Sequence, residues 1–76
     1  SIFVGISANN EVFVDKQRVD IRAVRGLVAK LAAAHPDAAV IIQADKDARA
    51  GLMVEAMDQA RLAGVSNVSI AATPER

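Results

Sequence analysis

The feature that most constrains the fold is a nearly unbroken apolar run, residues 39–44, with β-branched residues at its centre. Such a run is typical of an interior strand whose faces are covered. An amphipathic segment follows it, and Gly64 is suited to closing that segment as a helix. Residues 67–71 then alternate as a second strand. This order predicts a β-α-β unit, in which the two strands run parallel.

The first third of the chain predicts a hairpin. Ile2, Val4 and Ile6 alternate with other residues in the period of two that marks a half-buried strand. The polar pair Asn9-Asn10 predicts a turn into a second strand at residues 12–14. After another polar turn, residues 18–19 predict a very short third strand.

Two helices complete the secondary structure. Asp20 is suited to capping a helix over residues 21–35, which Pro36 ends because proline disfavours helical geometry in the residue before it. The second helix is predicted to begin near Ala48 or Arg49, with Asp47 as its cap. Its buried stripe is expected to comprise Met53, Ala56, Met57, Ala60 and either Ala63 or Gly64.

The predicted fold class is α/β, in an α+β arrangement with a small mixed sheet and both helices packed on one face. We expect one domain over residues 1–76. The strands that flank each helix are expected to be parallel neighbours, joined by right-handed crossovers. The other face and the edges of the sheet would stay open, which suits dimerisation or the addition of a strand from a partner.

Composition excludes several classes of function. The formal net charge is zero and aromatic residues make up 3% of the chain, which argues against nucleic-acid binding. One histidine and no cysteine cannot form an ordinary zinc site. The glycines are isolated, so no phosphate-binding loop and no cofactor are predicted. No serine has a histidine placed as its base, and we expect no enzyme activity.

One polar segment lies where ligands often bind in open α/β sheets. Asp45, Lys46 and Asp47 follow the carboxyl end of the central strand. They predict either a polar rim for a ligand or, more simply, a loop that caps the next helix.

Two other groups of residues allow a functional and a structural interpretation. Arg18, Arg22 and Arg25 could form a basic strip for an acidic peptide or a cell-wall polymer, or a solvated surface. Met53 and Met57 could line an adaptable groove or fill gaps in the core, and the second role is the favoured interpretation.

Several of these segments together resemble one family, the periplasmic domain of the bacterial ExbD/TolR energy transducers. The most specific piece is a strand followed by Asp45-Lys46, a helix containing Met57-Asp58, and then Ala63-Gly64. The resemblance also covers residues 2–7, 10–14, 41–44 and 68–70.

The resemblance implies a longer protein, with a short cytoplasmic start, one membrane helix bearing a proton-responsive Asp, and this domain in the periplasm. The chain begins at Ser1, which fits a fragment of such a protein. Implied partners are an ExbB/TolQ-type membrane subunit, a TonB/TolA-type protein and a second copy of the chain. No proton-carrying role is transferred to Asp45, Asp47 or Asp58.

The expected interface is a strand that dimerises or accepts an extended partner segment. The candidate residues are Val68, Ser69, Ile70 and Ala71 of the last strand, and Ile2 and Val4 of the first. An alternative is peptidoglycan binding through Arg18, Arg22 and Arg25. A second alternative is a regulatory domain that pairs to enclose a small molecule.

Overall fold

A computed structural model describes residues 1–72 of the chain, and these form one five-stranded sheet with two α-helices. The elements are β1 (Ile2–Ile6), β2 (Val12–Val14), β3 (Gln17–Val19), a 3-10 helix (Ile21–Ala23), α1 (Val24–Ala34), β4 (Val40–Ala44), α2 (Ala50–Leu62) and β5 (Val68–Ala72). The predicted fold class is confirmed.

The strand order is β3-β2-β1-β4-β5. β1, β2 and β3 form an antiparallel meander, while β4 lies parallel to both β1 and β5. The expectation that the strand before the first helix pairs with the strand after it is wrong. The hairpin leaves one side of β1 unoccupied, and β1 matches the five-residue length of β4, whereas β3 has three residues.

One face of the sheet carries the core, and both helices pack on that face, as predicted. Every second residue of β1, β2 and β4 is buried there, for example Val4, Val14 and Ile42. α1 contributes Val24 and Val28. α2 contributes two buried alanines, whose small side chains let the helix lie close to the sheet.

The other face of the sheet is open. β4 was expected to be covered on both faces, but Ile41 is half-buried and Gln43 is exposed on the uncovered side. Two crossover helices are enough to cover one face of a sheet of this size, and no described element lies on the other.

Both helices begin close to their predicted positions, but only the first has its predicted cap. The carboxylate of Asp20 accepts a hydrogen bond from the Arg22 N–H at 2.8 Å, and so caps the 3-10 helix that leads into α1. α2 begins at Ala50 after Arg49, and the predicted cap Asp47 makes no capping hydrogen bond. The backbone N–H of Asp47 instead donates to the carboxylate of Asp45 at 3.0 Å, which closes a local turn.

Side chains from distant parts of the chain bind backbone amides at the start of both helices. Asn10 accepts a hydrogen bond from the N–H of Arg49 through its Oδ1 at 2.8 Å. Gln59, on α2, accepts one from the N–H of Arg25 in the first turn of α1 at 2.9 Å. The first contact joins the hairpin turn to α2, and the second joins the two helices.

Two glycines have opposite roles. Gly64 ends α2 with φ at 99°, the left-handed conformation expected from the sequence. Gly26 lies exposed within α1, and a Cβ built on it would meet no atom within 4 Å. The close backbone approach that a glycine can signal is therefore not present at Gly26.

We expect Gly26→Ala to raise the free energy of unfolding by about 1 kcal/mol, because alanine is the better helix former. Gly64→Ala should lower it by about 1 kcal/mol or more, because a Cβ is strained at positive φ. Urea denaturation of both variants measures these two changes in the free energy of unfolding. Destabilisation by Gly26→Ala would contradict its open surroundings.

Candidate functional site

The two edges of the sheet differ in how they could pair with another strand. β3 is three residues long and carries Arg18 at its centre, and short, charged edge strands resist pairing. β5 is five residues long and has neither a charge nor a proline. Among the described residues, the β5 edge is therefore the one suited to accepting a strand.

The hydrogen bonds of β5 fix which of its residues face outward. The N–H of Val40 donates to the carbonyl of Asn67 at 2.9 Å, in register with the pairing of Val40 and Val68. In a parallel ladder, alternate residues bond to the same neighbour. Ser69 and Ala71 therefore bond toward β4, while the N–H and C=O groups of Val68 and Ile70 point away from the sheet.

The first strand offers no such edge. β1 pairs with β2 on one side and with β4 on the other. Ile2 and Val4 are both buried under the helices. Of the residues proposed from the sequence as an interface, only those of β5 lie at an edge.

The open face has an apolar centre, and it holds both aromatic residues of the chain. Phe3 is 42% exposed, and Phe13 and Ile41 are half-buried. Gly5 lies between Phe13 and Gln43 in the register, so the surface is indented there. A cavity of about 660 Å³ opens at this point, lined by Phe3, Gly5, Phe13, Asp15, Lys16 and Gln43. We call Phe3, Gly5, Phe13 and Ile41 the aromatic face.

The polar segment after β4 forms a turn. The side chain of Asp45 accepts the N–H of Asp47, and the Nζ of Lys46 lies 3.4 Å from the carboxylate of Asp47. Both members of that ion pair are more than half exposed, so it contributes little. The structure thus shows a local turn at the position of the predicted polar rim.

The three arginines of the predicted basic strip lie on different elements. Arg18 on β3 pairs with Glu11 at 3.5 Å, and Arg22 pairs with Asp20 at 3.1 Å. Arg25 is exposed on α1. Two of the three charges are therefore already partnered within the domain.

Within residues 1–72, no group of three or more His, Cys, Asp or Glu side chains is placed to hold a metal ion. Over the same residues, none of the helices has both the length and the apolar character needed to cross a membrane.

A comparison with protein families identifies the chain. The family described as biopolymer transport protein ExbD/TolR matches residues 1–75. The chain belongs to the ExbD/TolR family. The resemblance read from the sequence is thus confirmed over nearly its whole length.

A curated ExbD/TolR relative supports the assignment. The biopolymer transport protein exbD2 of Vibrio cholerae serotype O1 is 42% identical over 71 residues, which are 93% of this chain. The aligned residues make up 53% of the relative, so the chain spans about half of that protein's length.

The contacts of Asp20 predict a pH dependence of stability. The hydrogen bonds and charge of Arg22 lower the pKa of Asp20 from its ordinary value of 3.8, and the pairing raises the pKa of Arg22. A carboxyl with a lowered pKa stabilises the fold above its unfolded-state pKa, and this contribution is lost as the pH falls through the folded-state value.

We therefore expect Asp20→Asn, which keeps a capping oxygen, to lower the free energy of unfolding slightly near neutral pH. The difference from the unaltered chain should shrink as the pH falls below 3.8. Urea denaturation between about pH 2 and pH 7 measures it. In an Arg22→Gln background the pH dependence should be smaller, and an unchanged dependence there would rule out Arg22 as its cause.

Proposed function

We propose that this chain is the periplasmic domain of a single-pass inner-membrane subunit in an ExbD/TolR-type system driven by the proton motive force. It acts without catalysis, by binding an extended segment of a TonB/TolA-type protein along β5. An ExbB/TolQ-type subunit would contact the membrane part of the full protein. Family membership supports the general role, and the chemistry of the β5 edge supports the mechanism.

The observation that carries the mechanism is the row of main-chain groups along β5. Val68 and Ile70 direct their N–H and C=O groups outward, on an uncharged strand that an added strand can extend. Main-chain hydrogen bonds would supply affinity, and side chains on alternate sides would supply specificity. The opposite edge carries the Arg18–Glu11 ion pair and is less suited to this role.

Amide NMR of the isotope-labelled chain, titrated with overlapping peptides from a TonB/TolA-type partner, tests the proposal. We expect the largest shifts in β5, at Val68 and Ile70. Ile70→Pro should abolish them, because proline removes one outward N–H while the hydrogen bonds to β4 come from neighbouring residues.

Ile70→Thr is the matched control, since it keeps the N–H and a β-branched side chain. In this variant the peptide should still shift the β5 amide signals, although it should bind with lower affinity. Shifts confined to β3 or to charged loops would contradict strand addition at β5. So would peptide binding that Ile70→Pro leaves intact.

We further propose that two copies associate through the aromatic face. Exposure of Phe3 beside Phe13 and Ile41 supports this, because aromatic side chains dominate many interfaces. Three strands of five residues and two of three present a face on the order of 340 Å², at about 4.8 Å between strands and 3.4 Å per residue. A stable interface needs about 800 Å² from each partner. The association should therefore be weak unless a membrane anchor raises the effective concentration.

Sedimentation equilibrium over a wide range of concentration measures this association. We expect a concentration-dependent dimer that the double change Phe3→Ser/Phe13→Ser abolishes. Leu62→Ser, which removes a more exposed side chain from the outer surface of α2, should leave the dimer unchanged. If both variants lost the dimer to the same extent, the aromatic face would not be the dimer interface.

The other functions considered from the sequence receive less support. Peptidoglycan binding through Arg18, Arg22 and Arg25 would have to displace or share two ion pairs. A small-molecule regulatory role would place a ligand on the open face, where the polar groups at the cavity are the exposed side chains Asp15, Lys16 and Gln43.

A further inference from the structure

The apolar layer under the helices becomes exposed toward β5. Val40 and Ile42 of β4 are 0% exposed. Their register partners on β5 lie on the same side of the sheet, yet Val68 is half-buried and Ile70 is 43% exposed. The apolar layer therefore continues onto β5, and no described residue covers it there.

Both methionines lie on the flank of α2 nearest this exposed region. Gln59 marks the opposite flank, because it accepts the Arg25 N–H of α1. At 3.6 residues per turn, Met53 and Met57 are displaced about 120° and 160° around the helix from Gln59. Both are half-buried and pack against the core. We call Met53, Met57 and Ile70 the methionine ledge.

The ledge has one charged neighbour on the same flank, Arg61, one turn beyond Met57. Arg61 is exposed, and no carboxylate of the described residues forms an ion pair with it. Since α2 connects two parallel strands, it runs antiparallel to them, and Arg61 lies toward the Val68 end of β5. One helical turn rises about 5.4 Å, and two strand residues span roughly 6.6 Å. Side chains one turn apart on α2 therefore lie opposite alternate residues of a strand added at β5.

We propose that the strand added at β5 is an amphipathic partner segment with two apolar side chains at alternate positions packed on the methionine ledge. An acidic side chain two residues further along lies beside Arg61. The inference rests on the proposed strand addition at β5 and specifies which segment that edge selects. Methionine suits the role, because its flexible side chain adapts to different apolar groups.

The charge of Arg61 distinguishes a partner from a second copy. If two β5 strands paired, each would present residues 68–72, which contain no acid. Arg61 would then gain no carboxylate from residues 68–72 of the second copy. A segment of another protein can supply both the apolar pair and the acid.

The test uses the capped heptapeptide Thr-Val-Thr-Val-Thr-Glu-Thr, which presents this pattern when it pairs antiparallel to β5. The chain has two methionines, so methyl labelling of methionine gives two signals, assigned with Met53→Leu. We expect millimolar peptide to shift both signals and β5 amides, and to give nuclear Overhauser contacts between its valine methyls and Met57. These measurements need no destabilising variant.

Exchanging the charges of Arg61 and the peptide's Glu gives a second measurement, the change in peptide affinity. Arg61→Glu should weaken binding of the peptide about fivefold, the effect of reversing one exposed ion pair. Replacing the peptide's Glu by Lys should restore binding to that variant. Leu62→Ser, on the same helix but away from β5, is the matched control and should bind like the unaltered chain.

The outcomes separate this inference from the function on which it rests. Shifts of β5 amides with unchanged methionine signals, or valine contacts to Ser69 and Ala71 instead, would overturn the ledge and leave strand addition intact. No β5 shifts with this peptide or with TonB/TolA-type peptides would overturn both. A dimer of the free chain that Ile70→Pro dissociates would make a second copy the occupant and overturn the inference.

Discussion

The fold depends on the pairing of β1 with β4. Five residues of each strand lie in register, and their alternate side chains form the centre of the core. The core contains only aliphatic side chains and alanine, which suits helices packed closely on a sheet. Both phenylalanines are left for the uncovered face. The same pairing thus determines which face is closed by helices and which is presented to other molecules.

Placing β1 and β4 inside the sheet leaves β3 and β5 at its edges, and their chemistry differs. β3 is short and carries a charge, while β5 is longer and uncharged. A domain with one protected edge and one receptive edge can pair with a single added strand without polymerising through both edges. This asymmetry connects the topology to the proposed function, because it limits strand addition to one edge of the sheet.

The sequence predicts local features well. The alternation of β1, the cap at Asp20 and the left-handed Gly64 each depend on a few neighbouring residues. The pairing of β4 with β1 and the cap of α2 were missed, because each depends on distant contacts, such as Asn10 with Arg49, 39 residues apart. The family was recognisable from short motifs. Which strand lies at an edge, and how far the methionines are covered, are decided by the order of the strands.

The parallel arrangement of β1, β4 and β5 also has a mechanical consequence. Tension applied between the start of β1 and a strand held on β5 would act along the strands, across two parallel ladders. In this shear geometry the hydrogen bonds of a ladder share the load, whereas a pull perpendicular to the strands would open them one at a time. The five registered pairs of each ladder would resist such tension together. With a partner strand held at β5 as proposed, the load between β1 and that strand would therefore be shared by all the registered pairs.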